Sequence, residues 1–93
     1  MNIILEPSTI ISPFKLIENG TLIINEDGRI EYCGCREQAP KVKGKRLNLK
    51  GKIVAPGFID IHVHGGHGVT FGIGDLANEL EKYSQWVVSG GVT

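Results

Sequence analysis

The sequence predicts a β-rich segment over residues 1–55, followed by one strand, one loop and one helix over residues 56–93. Two observations lead to this prediction. Short runs of β-forming residues, separated by turn residues, fill the first segment. In the second segment, an apolar run at 58–62 leads into a glycine-rich stretch and then into apolar residues at helical spacing. The Pro56-Gly57 pair marks the predicted boundary between them.

The first segment is predicted to contain several short strands. Residues 2–5 form a short apolar strand that Pro7 interrupts, and residues 9–11 form a second piece. Residues 21–25 and 29–33 are both rich in β-formers and flank an Asp-Gly pair. Because Asp-Gly between two such runs is a strong hairpin signal, we expect these residues to pair with each other.

A polar, basic stretch follows the hairpin. Residues 37–45 are predicted to form a loop, and residues 47–49 and 53–55 two short strands around a turn at 50–52. Six of the twelve residues from 41 to 52 are Lys or Arg. They could form an anion-binding patch, but no aromatic or glycine-rich cradle lies among them. A solvated loop and edge strand, where lysines discourage edge pairing, is the favoured interpretation.

The candidate metal ligands lie at the end of the predicted strand over 58–62. Alternate side chains of a strand share one face, so His62 and His64 are expected to point the same way. Neutral imidazole is a common ligand of divalent metals, and the alternative is a pair of structural histidines. Asp60 lies on the same face and is interpreted as a structural hydrogen-bonding group. His67, on the glycine-rich loop at 65–74, is given no role.

A helix is predicted over residues 76–88. Asp75 is a suitable N-cap, and Ser89-Gly90-Gly91 ends the helix. Its apolar stripe has spacings of four, three and four residues, at Leu76, Leu80, Tyr83 and Val87. Trp86 is interpreted as packing at the helix surface rather than as a platform for a ligand.

Residues 56–64, Pro-Gly-Phe-Ile-Asp-Ile-His-Val-His, resemble the first barrel strand of the amidohydrolase superfamily. The continuation at 64–69, His-Gly-Gly-His-Gly-Val, is similar to the N-acetylglucosamine-6-phosphate deacetylases of that superfamily. The Gly-Val-Thr at 91–93 is similar to the opening of their second barrel strand. The resemblance implies that residues 56–93 are the first strand, loop and helix of a metal-dependent (β/α)8 barrel, and that residues 1–55 are part of a small β-sandwich domain.

The length of the chain bears on this expectation. A (β/α)8 barrel needs on the order of 200–250 residues, and the chain has 93. We therefore expect a truncated N-terminal fragment, with both the sandwich and the barrel incomplete. An incomplete sandwich would leave an open sheet edge.

The resemblance also implies the chemistry of the complete enzyme. It makes His62 and His64 ligands of a divalent metal, Zn, Fe or similar, with one or two ions per site. The remaining ligands and the catalytic Asp belong to later strands, so no catalytic residue is expected within this chain. The implied substrate is an amino-sugar phosphate, N-acetylglucosamine 6-phosphate, which is deacetylated to glucosamine 6-phosphate and acetate. The resemblance further implies a homo-oligomer.

Composition excludes several other classes of protein. Ten basic and ten acidic residues cancel, which argues against a dedicated binder of nucleic acid or of a membrane surface. No apolar run approaches the roughly 20 residues of a membrane span, and no targeting signal is present, which favours a cytoplasmic location. Cys33 and Cys35 are two apart, a spacing that strains a disulfide, so reduced thiols are expected.

Two further functional hypotheses follow from the sequence. One is a different amidohydrolase, either a cyclic amidase or a nucleobase deaminase. The other is a non-catalytic β-domain that acts as an assembly module, which would be a monodisperse species without metal.

Overall fold

The computed structural model describes all 93 residues, Met1–Thr93. Its internal contacts divide the chain into two units, Met1–Pro56 and Gly57–Thr93. The first unit is built of strands and the second carries the single α-helix. No helix is long and apolar enough to cross a membrane.

The first unit is one five-stranded sheet. Its longest strands are β1 and β5, and β1 pairs with three neighbours: it is antiparallel to β2 and β3 and parallel to β5. β4 completes the sheet as the antiparallel partner of β3. The bounds are β1 Asn2–Ile11, β2 Leu16–Glu18, β3 Gly20–Ile24, β4 Ile30–Cys35 and β5 Gly44–Val54.

The prediction that Pro7 interrupts the first strand is wrong. β1 runs through it without a break, and Pro7 is buried. On one side of β1, Leu5 is the last residue paired with β3 and Thr9 the first paired with β2. Pro7 lies between the part of β1 that pairs with β3 and the part that pairs with β2, so its missing N–H costs no ladder hydrogen bond on that side.

The prediction of two strands around a turn at 50–52 is also wrong. β5 is one strand, and its pairing with β1 shifts register between Pro7 and Thr9. Gly51 absorbs this irregularity with a φ of +80°, and its N–H donates to the Ser8 hydroxyl at 2.7 Å. β5 pairs with β1 alone, so its other side is a sheet edge. The expected lysine-rich edge strand is confirmed.

The predicted hairpin is confirmed as β3 and β4. The Asn25 side-chain carbonyl accepts from the backbone N–H groups of Asp27 and Arg29, and Gly28 takes a φ of +76°. On β4, Cys33 and Cys35 are free and exposed, as expected for reduced thiols.

Both faces of the sheet bury apolar residues. One face carries the cluster of Ile10, Ile17 and Leu22. The other carries Ile4 and Ile23, which pair across β1 and β3, together with Thr21 two residues along β3. The segment at 36–43, which begins with a 3₁₀ turn at Arg36–Gln38, lies against this second face. The second sheet of a sandwich is not formed within these residues.

The second unit contains a short hairpin and the helix. β6 Gly65–Gly66 and β7 Val69–Thr70 pair antiparallel, so the predicted loop at 65–74 contains a two-stranded hairpin. α1 spans Leu76–Val87 and continues into a 3₁₀ turn at Val88–Gly90. The helix prediction is confirmed: the Asp75 carboxylate accepts from the Ala77 N–H at 3.3 Å, and Gly91 ends the element with a φ of +85°.

Candidate metal centre

The strand predicted over 58–62 is not formed as a ladder. Only Phe58 bridges another segment, parallel to Val92. Its N–H donates to the Gly91 carbonyl at 2.7 Å, and its carbonyl accepts from the Thr93 N–H at 2.8 Å. A strand buried on both faces needs neighbours on both sides, and residues 59–64 have none, so they remain exposed. The one bridge nevertheless places Phe58 beside Val92, with the two segments parallel.

His62 and His64 do point the same way. Their Nε2 atoms lie 2.9 Å apart, and the ring planes meet at 70° with centroids 4.8 Å apart. Both residues are exposed. The expectation that these two side chains share one face is therefore met, even though the segment forms no ladder.

The separation of the two nitrogens suits a shared metal ion. Imidazole nitrogens bind zinc at about 2.0–2.1 Å. Two such nitrogens 2.9 Å apart subtend an angle of about 90° at one ion, a geometry that a five- or six-coordinate site adopts. The alternative is a hydrogen bond between one protonated and one unprotonated Nε2. Between two exposed rings that bond competes with water and stabilises by at most about 1 kcal/mol.

Asp60 fixes the backbone at this position. Its carboxylate accepts a hydrogen bond from the His62 N–H at 3.2 Å. This is the structural role expected for Asp60, and it orients the segment that carries the first imidazole.

The hairpin that follows fixes the backbone of His64. The Phe71 N–H donates to the His64 carbonyl at 3.0 Å, so the hairpin closes directly after this residue. Gly65 has a φ of +145°, and a Cβ there would lie 2.1 Å from the Val69 carbonyl oxygen. Only glycine fits this position. The glycines after the histidines thus form a defined turn, whereas the sequence predicted only a glycine-rich loop.

His67 lies apart from the pair. It occupies the hairpin turn with a φ of +50°, and its ring stacks on Trp86 at 5.2 Å with the planes 5° from parallel. No role is predicted for His67 from the sequence, and Trp86 packs at the helix surface as predicted. A cleft of about 550 Å³ runs beside both rings, but neither His62 nor His64 lines it. The cleft is therefore not the candidate metal centre.

The centre is incomplete within this chain. No group of three or more His, Cys, Asp or Glu side chains is placed to hold one metal ion. Catalytic zinc sites use three protein ligands and keep a position for water. His62 and His64 are the two candidates for such positions in this chain, and both are exposed.

Comparison with known proteins defines the class to which this fold and site belong. No family model matches the chain. The chain is 39% identical over 64 residues to imidazolonepropionase of Sphingopyxis alaskensis, which covers 69% of this chain and 14% of that enzyme. It is 37% identical over 65 residues to 5-methylthioadenosine/S-adenosylhomocysteine deaminase of Symbiobacterium thermophilum, covering 69% of this chain and 15% of that enzyme.

A solved structure matches almost the whole chain. The crystal structure of N-acetyl-D-glucosamine-6-phosphate deacetylase from Mycobacterium smegmatis superposes with a TM-score of 0.77 at 30% identity. The match covers 98% of this chain and 25% of that enzyme. These relatives are amidohydrolases, and the chain belongs to the amidohydrolase superfamily. It spans about a seventh to a quarter of the length of the relatives it matches.

Proposed function

We propose that His62 and His64 are two ligands of the divalent metal site of an amidohydrolase. The observation that carries the proposal is the 2.9 Å separation of their Nε2 atoms, on a segment that the superfamily places at its metal centre. The ligands still needed come from outside these 93 residues, either from the same polypeptide or from a partner chain. A bound divalent ion lowers the pKa of water and polarises the scissile carbonyl of the substrate.

Each part of the site has a role in this proposal. His62 and His64 hold the ion through neutral Nε2 atoms. Asp60 holds the His62 backbone, and the hairpin that starts at Gly65 holds the His64 carbonyl. The carboxylate that takes the proton from the attacking water and passes it to the leaving amine is not supplied by this chain.

We further propose that the complete enzyme deacetylates N-acetylglucosamine 6-phosphate, releasing acetate and glucosamine 6-phosphate. The structural similarity to the mycobacterial deacetylase over 98% of the chain supports this substrate. The second candidate is hydrolysis of a cyclic amide or deamination of a nucleobase, as in the other amidohydrolases. The 39% identity to an imidazolonepropionase supports that alternative.

Titration of the 93-residue chain with Co²⁺ or Zn²⁺ tests the metal centre. We expect one weak site, and we expect His62→Ala and His64→Ala each to lower the affinity at least about tenfold, because each removes a ligand. His67→Ala is the matched control and should leave the affinity unchanged. Equal losses in all three variants would contradict the assignment.

Turnover assays test the substrate. The protein expressed from the entire reading frame should hydrolyse N-acetylglucosamine 6-phosphate in preference to dihydroorotate, hydantoin and adenine. Activity confined to the last three compounds would reject the deacetylase and support the second candidate. The intact mass of the purified protein, measured on the same sample, shows whether the polypeptide has further residues that can contribute ligands.

A further inference from the structure

A polar pocket of about 240 Å³ lies in the first unit, between the sheet and the segment at 36–43. Its floor is formed by Ile4 and Thr21, on the sheet face that this segment covers. Charged side chains from β1, β5 and the covering segment form its walls. They are Glu6, Arg36, Glu37, Lys41 and Arg46.

Thr21 is the unusual residue of this pocket. It is 1% exposed, and its hydroxyl oxygen has no hydrogen-bond partner. Buried hydroxyl groups are almost always hydrogen-bonded, because a buried group without a partner loses its bonds to water and gains nothing in return. The hydroxyl can donate one hydrogen bond and accept others. Because Thr21 lines the pocket, a molecule bound there, whether water or an anion, can be that partner.

The cations of the pocket are incompletely used. Arg46 pairs with Glu6. Arg36 has no carboxylate partner. Its Nη2 atom donates to the carbonyl oxygens of Pro7 at 2.8 Å and Gly20 at 3.1 Å. A guanidinium has five N–H donors, so three remain on the Nε and Nη1 atoms.

Lys41 forms no ion pair either, since the chain's ion pairs are Arg46 with Glu6 and the amino terminus with Glu26. Only one carboxylate of the pocket, that of Glu37, is also without an ion pair. The pocket thus carries an excess of one positive charge and an excess of hydrogen-bond donors. Both favour the binding of an anion.

We propose that this pocket binds a small oxyanion, a phosphate or a carboxylate, between Arg36, Lys41 and the Thr21 hydroxyl. The guanidinium plane and the ammonium supply the charge, and Thr21 donates its hydrogen to an anion oxygen. The volume lies below the roughly 300 Å³ at which pockets for drug-sized ligands begin, so the ligand is an anion of a few heavy atoms with its waters. The site lies entirely in the first unit and contains none of the proposed metal ligands.

Titration of the 93-residue chain with inorganic phosphate, and separately with acetate, tests the proposal, with backbone amide resonances as the readout. We expect saturable shifts centred on Thr21 and on residues 39–41. Thr21→Val keeps the shape of the side chain and removes only its hydroxyl, and Lys41→Gln removes a charge at an exposed position. Each should weaken binding about tenfold, the value of a hydrogen bond or ion pair to a charged ligand.

Lys15→Gln is the matched control, because it removes the same charge from an exposed lysine outside the pocket. It should leave the affinity unchanged, as should the double substitution His62→Ala with His64→Ala. Preference for phosphate or for acetate identifies the class of oxyanion. Linear shifts without saturation, or equal weakening by Lys15→Gln and Lys41→Gln, would mean that the anions interact only non-specifically with surface lysines and arginines, and would overturn the proposal.

Discussion

The imidazole of His67 lies flat against the indole of Trp86, with ring centroids 5.2 Å apart and planes 5° from parallel. This contact joins the turn of the β6–β7 hairpin to helix α1. His67 is the third histidine of the chain and follows His64 by only three residues. It packs against the helix and does not join the pair of candidate metal ligands.

Replacing His67 should weaken the contact between the hairpin turn and helix α1 but leave the hydrogen bond from Phe71 to the His64 carbonyl, and with it metal binding, unchanged. His67→Asn tolerates the φ of +50° but loses the stack, and we expect a loss of about 0.5–1.5 kcal/mol in stability. His67→Ala should cost about 1 kcal/mol more, because alanine is strained in the left-handed region. Trp86 is the single tryptophan, so its fluorescence during urea unfolding reports this unit alone. Identical stabilities for Asn, Ala and His at this position would show that neither the stack nor the turn geometry matters.

The start of α1 depends on one side chain. The Asp75 carboxylate accepts from the Ala77 N–H at 3.3 Å. Asp75→Ala should lower the helix signal in circular dichroism and cost about 1 kcal/mol of stability, whereas Asp75→Ser should retain most of it, because serine is also a good N-cap. If Ala and Ser behave alike, the cap does not hold the helix start.

The hairpin and the helix could be predicted from sequence because their signals are local. Asp-Gly between β-forming runs predicts the β3–β4 turn. Asp75 and the apolar stripe that includes Leu80 predict α1. Pro7 misled the prediction because its tolerance in β1 depends on where two neighbouring strands stop, and no local pattern records that.

The candidate site was predictable in part for the same reason. The side-by-side placement of His62 and His64 follows from their spacing, and the structure gives the 2.9 Å separation. The strand expected at 58–62 depends on partners on both sides, and a segment without them forms one bridge, at Phe58. The turn that Gly65 makes, and the stack of His67 on Trp86, come from tertiary contacts that the sequence pattern does not encode.

Gly65 links the stability of the hairpin to the position of His64. A Cβ at this residue would lie 2.1 Å from the Val69 carbonyl oxygen, and the φ of +145° is open only to glycine. Gly65→Ala should cost about 1–3 kcal/mol and lower metal affinity together with it, because the hydrogen bond from Phe71 to the His64 carbonyl is lost.

Gly90→Ala provides the control for this change. A Cβ at Gly90 would have nothing within 4 Å, and its φ lies outside the positive range. It should leave Trp86 fluorescence, unfolding midpoint and metal affinity unchanged. A Gly65→Ala variant that unfolds earlier but binds Co²⁺ as tightly as the unaltered chain would separate the hairpin from the metal centre and contradict the link.

The second unit exposes an apolar surface. Ile61 is 93% exposed, and Leu76 and Leu80 on α1 are 53% and 48% exposed. The 93-residue chain should therefore associate with itself at micromolar concentration and bind a hydrophobic dye. Leu76→Lys combined with Leu80→Lys should reduce both effects, whereas Asn78→Lys with Gln85→Lys adds the same charge to polar positions of the same helix and should reduce them less. Sedimentation velocity and dye fluorescence check this expectation. A monodisperse monomer without dye binding would instead favour the non-catalytic assembly module, since such a domain has no need of further strands.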